Sequence, residues 1–234
     1  VCAGTLALYG ALLLFVPVPG HGAGELDPLG NICRWVDASL LAGHTYPPSI
    51  SPGMDPEGIL STLGALGTTM LGMAAASVVR RGAESLTAAK TLLAWGALLA
   101  LAGLALSPVL PVNKQLWTPS FALVTGGIAF AVLAPLHLLT AGKDTHAWET
   151  PLLAFGMNPL AAYVLATAAG TLSVKIKLAA ADGAPVTLKA IAYNALFASW
   201  MGEYAASLAY SVAFMLVWMG VMYVLYRKGV FVRI

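Results

Sequence analysis

The side chains that titrate nearest neutral pH are His21, His44, His137 and His146, and these are the first candidates for general acid–base work. His44 is the best placed, in a long polar stretch beside Tyr46 and ahead of Asp55; it reads as a base or as a structurally satisfied histidine. His21 sits in a Gly-rich stretch and His146 in a short connection, so both read as solvated. His137 closes an apolar run, within bonding reach of a backbone or a neighbouring helix. Asp55 and Glu57 flank Pro56 at the mouth of an apolar run; they are candidate site carboxylates, or carboxylates favouring the positive end of a helix dipole. Asn113, Lys114 and Trp117 bring an amide, a cation and an indole together, a set that suits an anionic or sugar ligand; Trp117 equally suits an interfacial aromatic belt. Asn158-Pro159 reads as an N-cap followed by a first-turn proline. Cys2 and Cys33 make no disulfide framework and match no zinc spacing, so no metal is expected. Gly-rich phosphate loops and nucleophile elbows are absent from the sequence.

The elements that must carry these residues follow from composition. Of the 234 residues, 59% are hydrophobic and 9% charged, and the mean hydropathy is +0.82. A soluble domain is about 25% charged, and disordered chains are poor in apolar residues, so both classes are excluded. A net charge of +2, scattered along the chain, argues against nucleic-acid binding. The composition points to an all-α polytopic transmembrane bundle of about six spans, organised as a single transmembrane domain over 1–234. A span needs roughly 20 apolar residues. The candidates are 1–16, 59–79, 88–106, 120–139, a less regular 159–174 led in by 152–157, and 205–226. The first begins mid-hydrophobic without the basic flank of a signal peptide; it reads as a truncated helix in the C-terminal part of a longer chain.

Lysine and arginine placement orients the spans. Arg80, Arg81, Lys90, Lys143, Arg227, Lys228 and Arg233 lie in short connections on one side, expected to be cytoplasmic together with the C-terminus. Loops 17–58, 107–119 and 175–204 then face outside, with most of the acidic residues: Glu25, Asp27, Asp37, Asp55, Glu57, Asp182 and Glu203. Ile32, Trp35, Val36 and Leu40 repeat at helical spacing, as do Leu188, Ile191, Ala192, Ala195, Leu196, Ser199 and Trp200. Two such amphipathic external segments predict a roof over an externally open cavity.

Several motifs, in order along the chain, resemble the C-terminal half of the heparan-α-glucosaminide N-acetyltransferase family and its bacterial relatives. They are Val16-Pro17-Val18-Pro19-Gly20, Trp35-Val36-Asp37, Leu40-Leu41, His44-Thr45-Tyr46 and 55–62 (Asp-Pro-Glu-Gly-Ile-Leu-Ser-Thr). They continue with 111–118 (Pro-Val-Asn-Lys-Gln-Leu-Trp-Thr), Gly156-Met157-Asn158-Pro159-Leu160 and 225–231 (Leu-Tyr-Arg-Lys-Gly-Val-Phe). Relatives usually carry Arg where this chain has Ala38 and Asn where it has Gln115. The resemblance implies an integral-membrane acyltransferase of a bacterial inner membrane. Such an enzyme takes acetyl from cytosolic acetyl-CoA and places it on an external amino sugar, without a metal, and is arranged as a homodimer among membrane lipid. The family histidine and an Asp-x-x-Arg-Gly motif precede the region given, and His44 does not match that histidine. The resemblance leaves supporting roles here: Asp55 and Glu57 orienting or deprotonating the amine, Asn113 and Lys114 holding phosphates or sugar hydroxyls, Trp117 stacking on a ring, and Asn158 donating to a carbonyl or anion. The rival reading is an amino-sugar permease, for which a half-broken fifth span fits.

Overall fold

In the computed structural model, residues 1–46, 55–81, 84–142, 147–179 and 185–232 are described. Lys143, His146, Asp182 and Arg233, read above, lie outside them. The described chain is mostly helical, with one short hairpin, and its contacts divide into two compact units, Val1–Ala141 and Gly142–Ile234.

The first unit holds α1 (Cys2–Phe15), α2 (Ile32–Leu40), α3 (Ser61–Arg80), α4 (Ser85–Leu106) and α5 (Pro119–Leu139). The last three are each long and apolar enough to cross a membrane; α1 has 14 residues and falls short of that length. The tightest pairing is α4 on α5, and its cause is side-chain size. A Cβ on Gly127 would lie 2.6 Å from the Gly96 carbonyl oxygen and from the Ala100 nitrogen, and one on Gly96 would lie 2.8 Å from the Gly127 oxygen. In lipid, where apolar side chains gain nothing by leaving the solvent, close backbone approach at small residues supplies the packing energy. Around this seam Leu71, Ala75, Ala89, Leu92, Phe130 and Ala134 form one core. A second, at the loop end of α1, gathers Tyr9, Leu13, Ile32, Cys33, Leu110 and Leu116.

The second unit holds a 3-10 turn (Ala147–Glu149), α6 (Thr150–Met157), α7 (Pro159–Lys175), an antiparallel hairpin of β1 (Lys177–Ala179) and β2 (Pro185–Thr187), α8 (Leu188–Tyr193), a π-helical turn (Asn194–Ala198) and α9 (Glu203–Arg227). Segment 147–157 and α7 meet at a 77° bend, the geometry of a broken span or a re-entrant loop; α9 is one unbroken helix of spanning length. Counting the bent pair once, the described residues contain five helices or helix pairs of spanning length and hydropathy, against the six spans expected. The hairpin was not expected from the sequence. Its strands are three residues each, too short for a period-two pattern to register.

Candidate functional site

Two polar regions stand out, one in each unit. The first is a buried junction where α2 meets the entry to α3. Asn31 caps α2, its Oδ1 accepting from the Arg34 N–H at 2.8 Å. The helix buries Ile32, Cys33 and Asp37; of the expected apolar stripe Ile32 is buried and Val36 packs against the same core, while Trp35 and Leu40 are exposed. Asp37 lies one turn beyond Cys33, on the same face. Its Oδ1 accepts from the Ile59 N–H at 2.9 Å; its Oδ2, fully buried, has no hydrogen-bond partner among the described residues. That oxygen is packed against Gly58, where a Cβ would lie 2.0 Å from it, so only glycine fits there. Burial pushes the Asp37 carboxyl above the usual carboxylate range; the Ile59 bond opposes this and the nearby Asp55 charge adds to it. Burial likewise raises the Cys33 thiol to about 11, a value at which it stays protonated and unreactive. The Tyr9 hydroxyl bridges Cys33 Sγ and the Leu116 carbonyl, tying α1 to α2 and to the α4–α5 connection.

Asp55, also buried, sits beside this junction with both oxygens engaged. Oδ1 accepts from the Glu57 N–H at 2.9 Å and Oδ2 from the Tyr46 N–H at 3.3 Å. It forms a turn six residues ahead of α3 and does not cap the helix, which begins at Ser61 without a side-chain cap. Glu57 and His44 are exposed. Asn113 Oδ1 accepts from the Gln115 and Leu116 N–H groups at 2.8 and 3.2 Å, which makes it the organiser of the α4–α5 turn. Lys114 is exposed on that turn. Trp117 is half-buried with a left-handed backbone (φ 49°), its indole N–H on Thr68 Oγ1 at 2.9 Å and its ring edge-on to Phe121. Asn113 and Trp117 thus hold the fold together at this turn. In the second unit, Asn158 does not cap α7 with its side chain. Wholly buried, it donates to the Val230 carbonyl at 3.0 Å and accepts from the Val232 N–H at 2.9 Å. The carbonyl it meets belongs to its own chain, and the bond fastens the C-terminal segment to the break between α6 and α7.

The second polar region is an open cavity of about 720 Å³ among α7, β2, α8 and α9, within the usual size range of a small-molecule site. Its walls carry the hydroxyls of Ser173, Thr187, Tyr193, Ser207, Tyr210 and Ser211, the aromatic face of Phe214, and one charged group, Lys189. The Lys189 ammonium stands over the Tyr210 ring, 6.0 Å from its centre. Several hydroxyl protons are committed to the backbone: Ser173 donates to the Gly170 carbonyl at 2.7 Å, Ser211 to that of Ser207 at 2.9 Å, and Tyr193 to that of Glu203 at 3.3 Å. Their lone pairs remain to accept from a guest. The cavity therefore offers acceptors for hydroxyl or amine donors, an aromatic wall, and one cation. None of the residues singled out in the sequence lines it. Lys189 falls between the residues of the 188–200 apolar stripe, and the serines lie on helices whose apolar character masked them. The one legible signal was the segment 188–200, whose Lys189, Ala190 and Tyr193 line this cavity, though none belongs to the expected apolar stripe.

No family model matches the chain. It is 29% identical over 182 residues to heparan-α-glucosaminide N-acetyltransferase of Mus musculus, covering 66% of this chain and 27% of that protein. Against the Homo sapiens protein of the same name, identity is 29% over 185 residues, covering 67% and 28%. The chain is thus distantly similar to these acetyltransferases. It spans about a quarter of the length of the curated relatives it matches, and the similarity extends over two thirds of a chain whose helices are long enough to span a membrane.

Proposed function

We propose that this chain is part of a membrane-embedded N-acyltransferase that moves an acetyl group from cytosolic acetyl-CoA to the amine of an amino sugar on the opposite side. The observation that carries this reading is the similarity to two N-acetyltransferases over about two thirds of the chain. The cavity beneath α8 supports it from the acceptor side. A hexosamine presents hydroxyl and amine donors with an apolar ring face, which complement the lone pairs of Ser173, Tyr193 and Ser211 and the Phe214 ring. The donor does not fit there. Coenzyme A carries several phosphate charges, and Lys189 is the cavity's single cation among the described residues. The Arg227–Lys228 pair lies at the far end of α9, about 20 Å along the helix from Phe214 at 1.5 Å per residue. In this reading the donor is held elsewhere in the full-length protein, and this chain's residues bind and orient the acceptor. An inner-membrane location with a cytoplasmic C-terminus completes the proposal.

Full-length protein in proteoliposomes, given radiolabelled acetyl-CoA and glucosamine on opposite sides, is expected to yield labelled N-acetylglucosamine with release of CoA. The 77° break between 147–157 and α7 favours a second reading, a permease built on a discontinuous helix. Labelled sugar crossing the bilayer unmodified, with no CoA released, would establish the permease and remove the transferase.

A further inference from the structure

Resting on the transferase reading, the next question is from which phase the acceptor arrives. The α9 wall of the cavity carries Ser207, Ser211 and Phe214. Helical residues are about 100° apart, so Tyr204, Leu208 and Met215 form the adjoining stripe. Those three are strongly exposed, at 93%, 67% and 53%. Past α8, Leu196 and Trp200 are also exposed. The polar walls thus open beside a strip of large apolar side chains on a helix of spanning length, a surface suited to acyl or prenyl chains and not to water. A free sugar gains nothing from such a rim. A ligand with a polar head in the cavity and an apolar tail along the rim uses both surfaces, and Lys189 adds a partner for an anionic group joining head to tail.

We propose that this cavity receives the head group of a lipid-linked amino sugar, with Lys189 on the linking phosphate and the lipid chain lying against the Tyr204, Leu208 and Met215 stripe. The acceptor would then be presented from within the bilayer and not from solution.

The test uses full-length protein in nanodiscs of neutral phospholipid, with binding measured for inorganic phosphate, glucosamine 1-phosphate and glucosamine farnesyl phosphate. The prenyl-linked sugar is expected to bind at least ~10-fold more tightly than the soluble sugar phosphate. Lys189→Gln should weaken it about 10-fold while Lys189→Arg retains it. Leu208→Gln, on an exposed position that folding does not need, should weaken the prenyl-linked ligand and leave glucosamine 1-phosphate unchanged. Equal affinity for the two sugar phosphates, equal affinity for inorganic phosphate alone, or indifference to Lys189→Gln would each overturn the proposal. The two readings fail separately. Acetylation of soluble glucosamine as efficient as that of the prenyl-linked sugar sinks the lipid-borne acceptor and keeps the transferase. Tight, Lys189-dependent binding without any acetylation keeps the lipid site and sinks the transferase.

Discussion

Helices α5 and α9 have the same mean hydropathy, 2.0, yet 28% of the apolar window of α5 is buried against 6% of that of α9. The difference lies in size, not in polarity. Along its packed face α5 carries Ser120, Ala122, Gly126, Gly127 and Ala134, and there α4 closes to backbone contact. α9 scatters its Ala and Ser among Phe, Met, Leu, Trp, Tyr and Val, has no paired glycines, and buries only Ala206 and Met222. The first unit is therefore a self-packed body whose polar groups are largely consumed in holding it together. The second is loosely packed, held at one end by Asn158, and its hydroxyls surround open space. Hydropathy says that a helix prefers lipid to water. Residue volume decides whether it meets another helix there.

Substitutions at the seams give the sharpest way to break this contrast. Gly127→Val pushes side-chain atoms into the α4 backbone and is expected to cost about 3 kcal/mol, at the upper end for overpacking, with a large fall in melting temperature in detergent. Gly220→Ala in α9, where a Cβ meets nothing within 4 Å, should be neutral or stabilise by up to ~1 kcal/mol. Similar losses from both substitutions would end the distinction between the units.

The anchoring amides and carboxylates come next. Asn158→Ala leaves the Val230 carbonyl and Val232 N–H without partners and should cost roughly 1–3 kcal/mol, read as faster hydrogen exchange in 229–232. Asp37→Ala removes the acceptor of the part-buried Ile59 N–H, at about 1–3 kcal/mol for a bond to a charged group. Asp37→Asn keeps an acceptor for that N–H and removes the buried charge, so it should match or exceed the parent's stability at neutral pH. The sign follows from the raised carboxyl. Asp37 takes up its proton more readily folded than unfolded, so its contribution is fully present below the ordinary carboxylate pKa of about 3.9 and is lost as pH climbs through the raised value. Asp37→Asn should flatten that slope in melts run across the acidic range, and an unchanged slope would remove Asp37 as its source. The smallest effect is Trp117→Phe, which keeps the ring and loses the bond to Thr68, at about 0.5–1.5 kcal/mol.

Much of this was legible in the chain. Runs of apolar residues long enough to span, the break at Asn158-Pro159 and the helical segments 32–40 and 188–198 all follow from hydropathy, periodicity and proline, which act locally. The candidate site was less legible. Asp55, Asn113, Trp117 and Asn158 were singled out for polar chemistry in apolar surroundings, and the structure engages the first, second and fourth with backbone groups and the third with Thr68. A buried polar side chain looks the same in sequence whether it meets a ligand or its own backbone. Asp37 was quoted within a motif and passed over, because the apolar stripe expected on α2 pointed to another face.

Sequence alone determined that this protein builds helices apolar and long enough to span a membrane, since 59% of its residues are hydrophobic and few are charged. It also determined where the helices run, because backbone hydrogen bonds in lipid must close within the segment. Tertiary structure decided which polar groups are occupied and which stand open. That depends on residues tens of positions apart meeting or failing to meet: Asp37 reaching Ile59, Asn158 reaching Val230, and Ser173 facing Ser207 and Ser211 across a gap that no side chain fills.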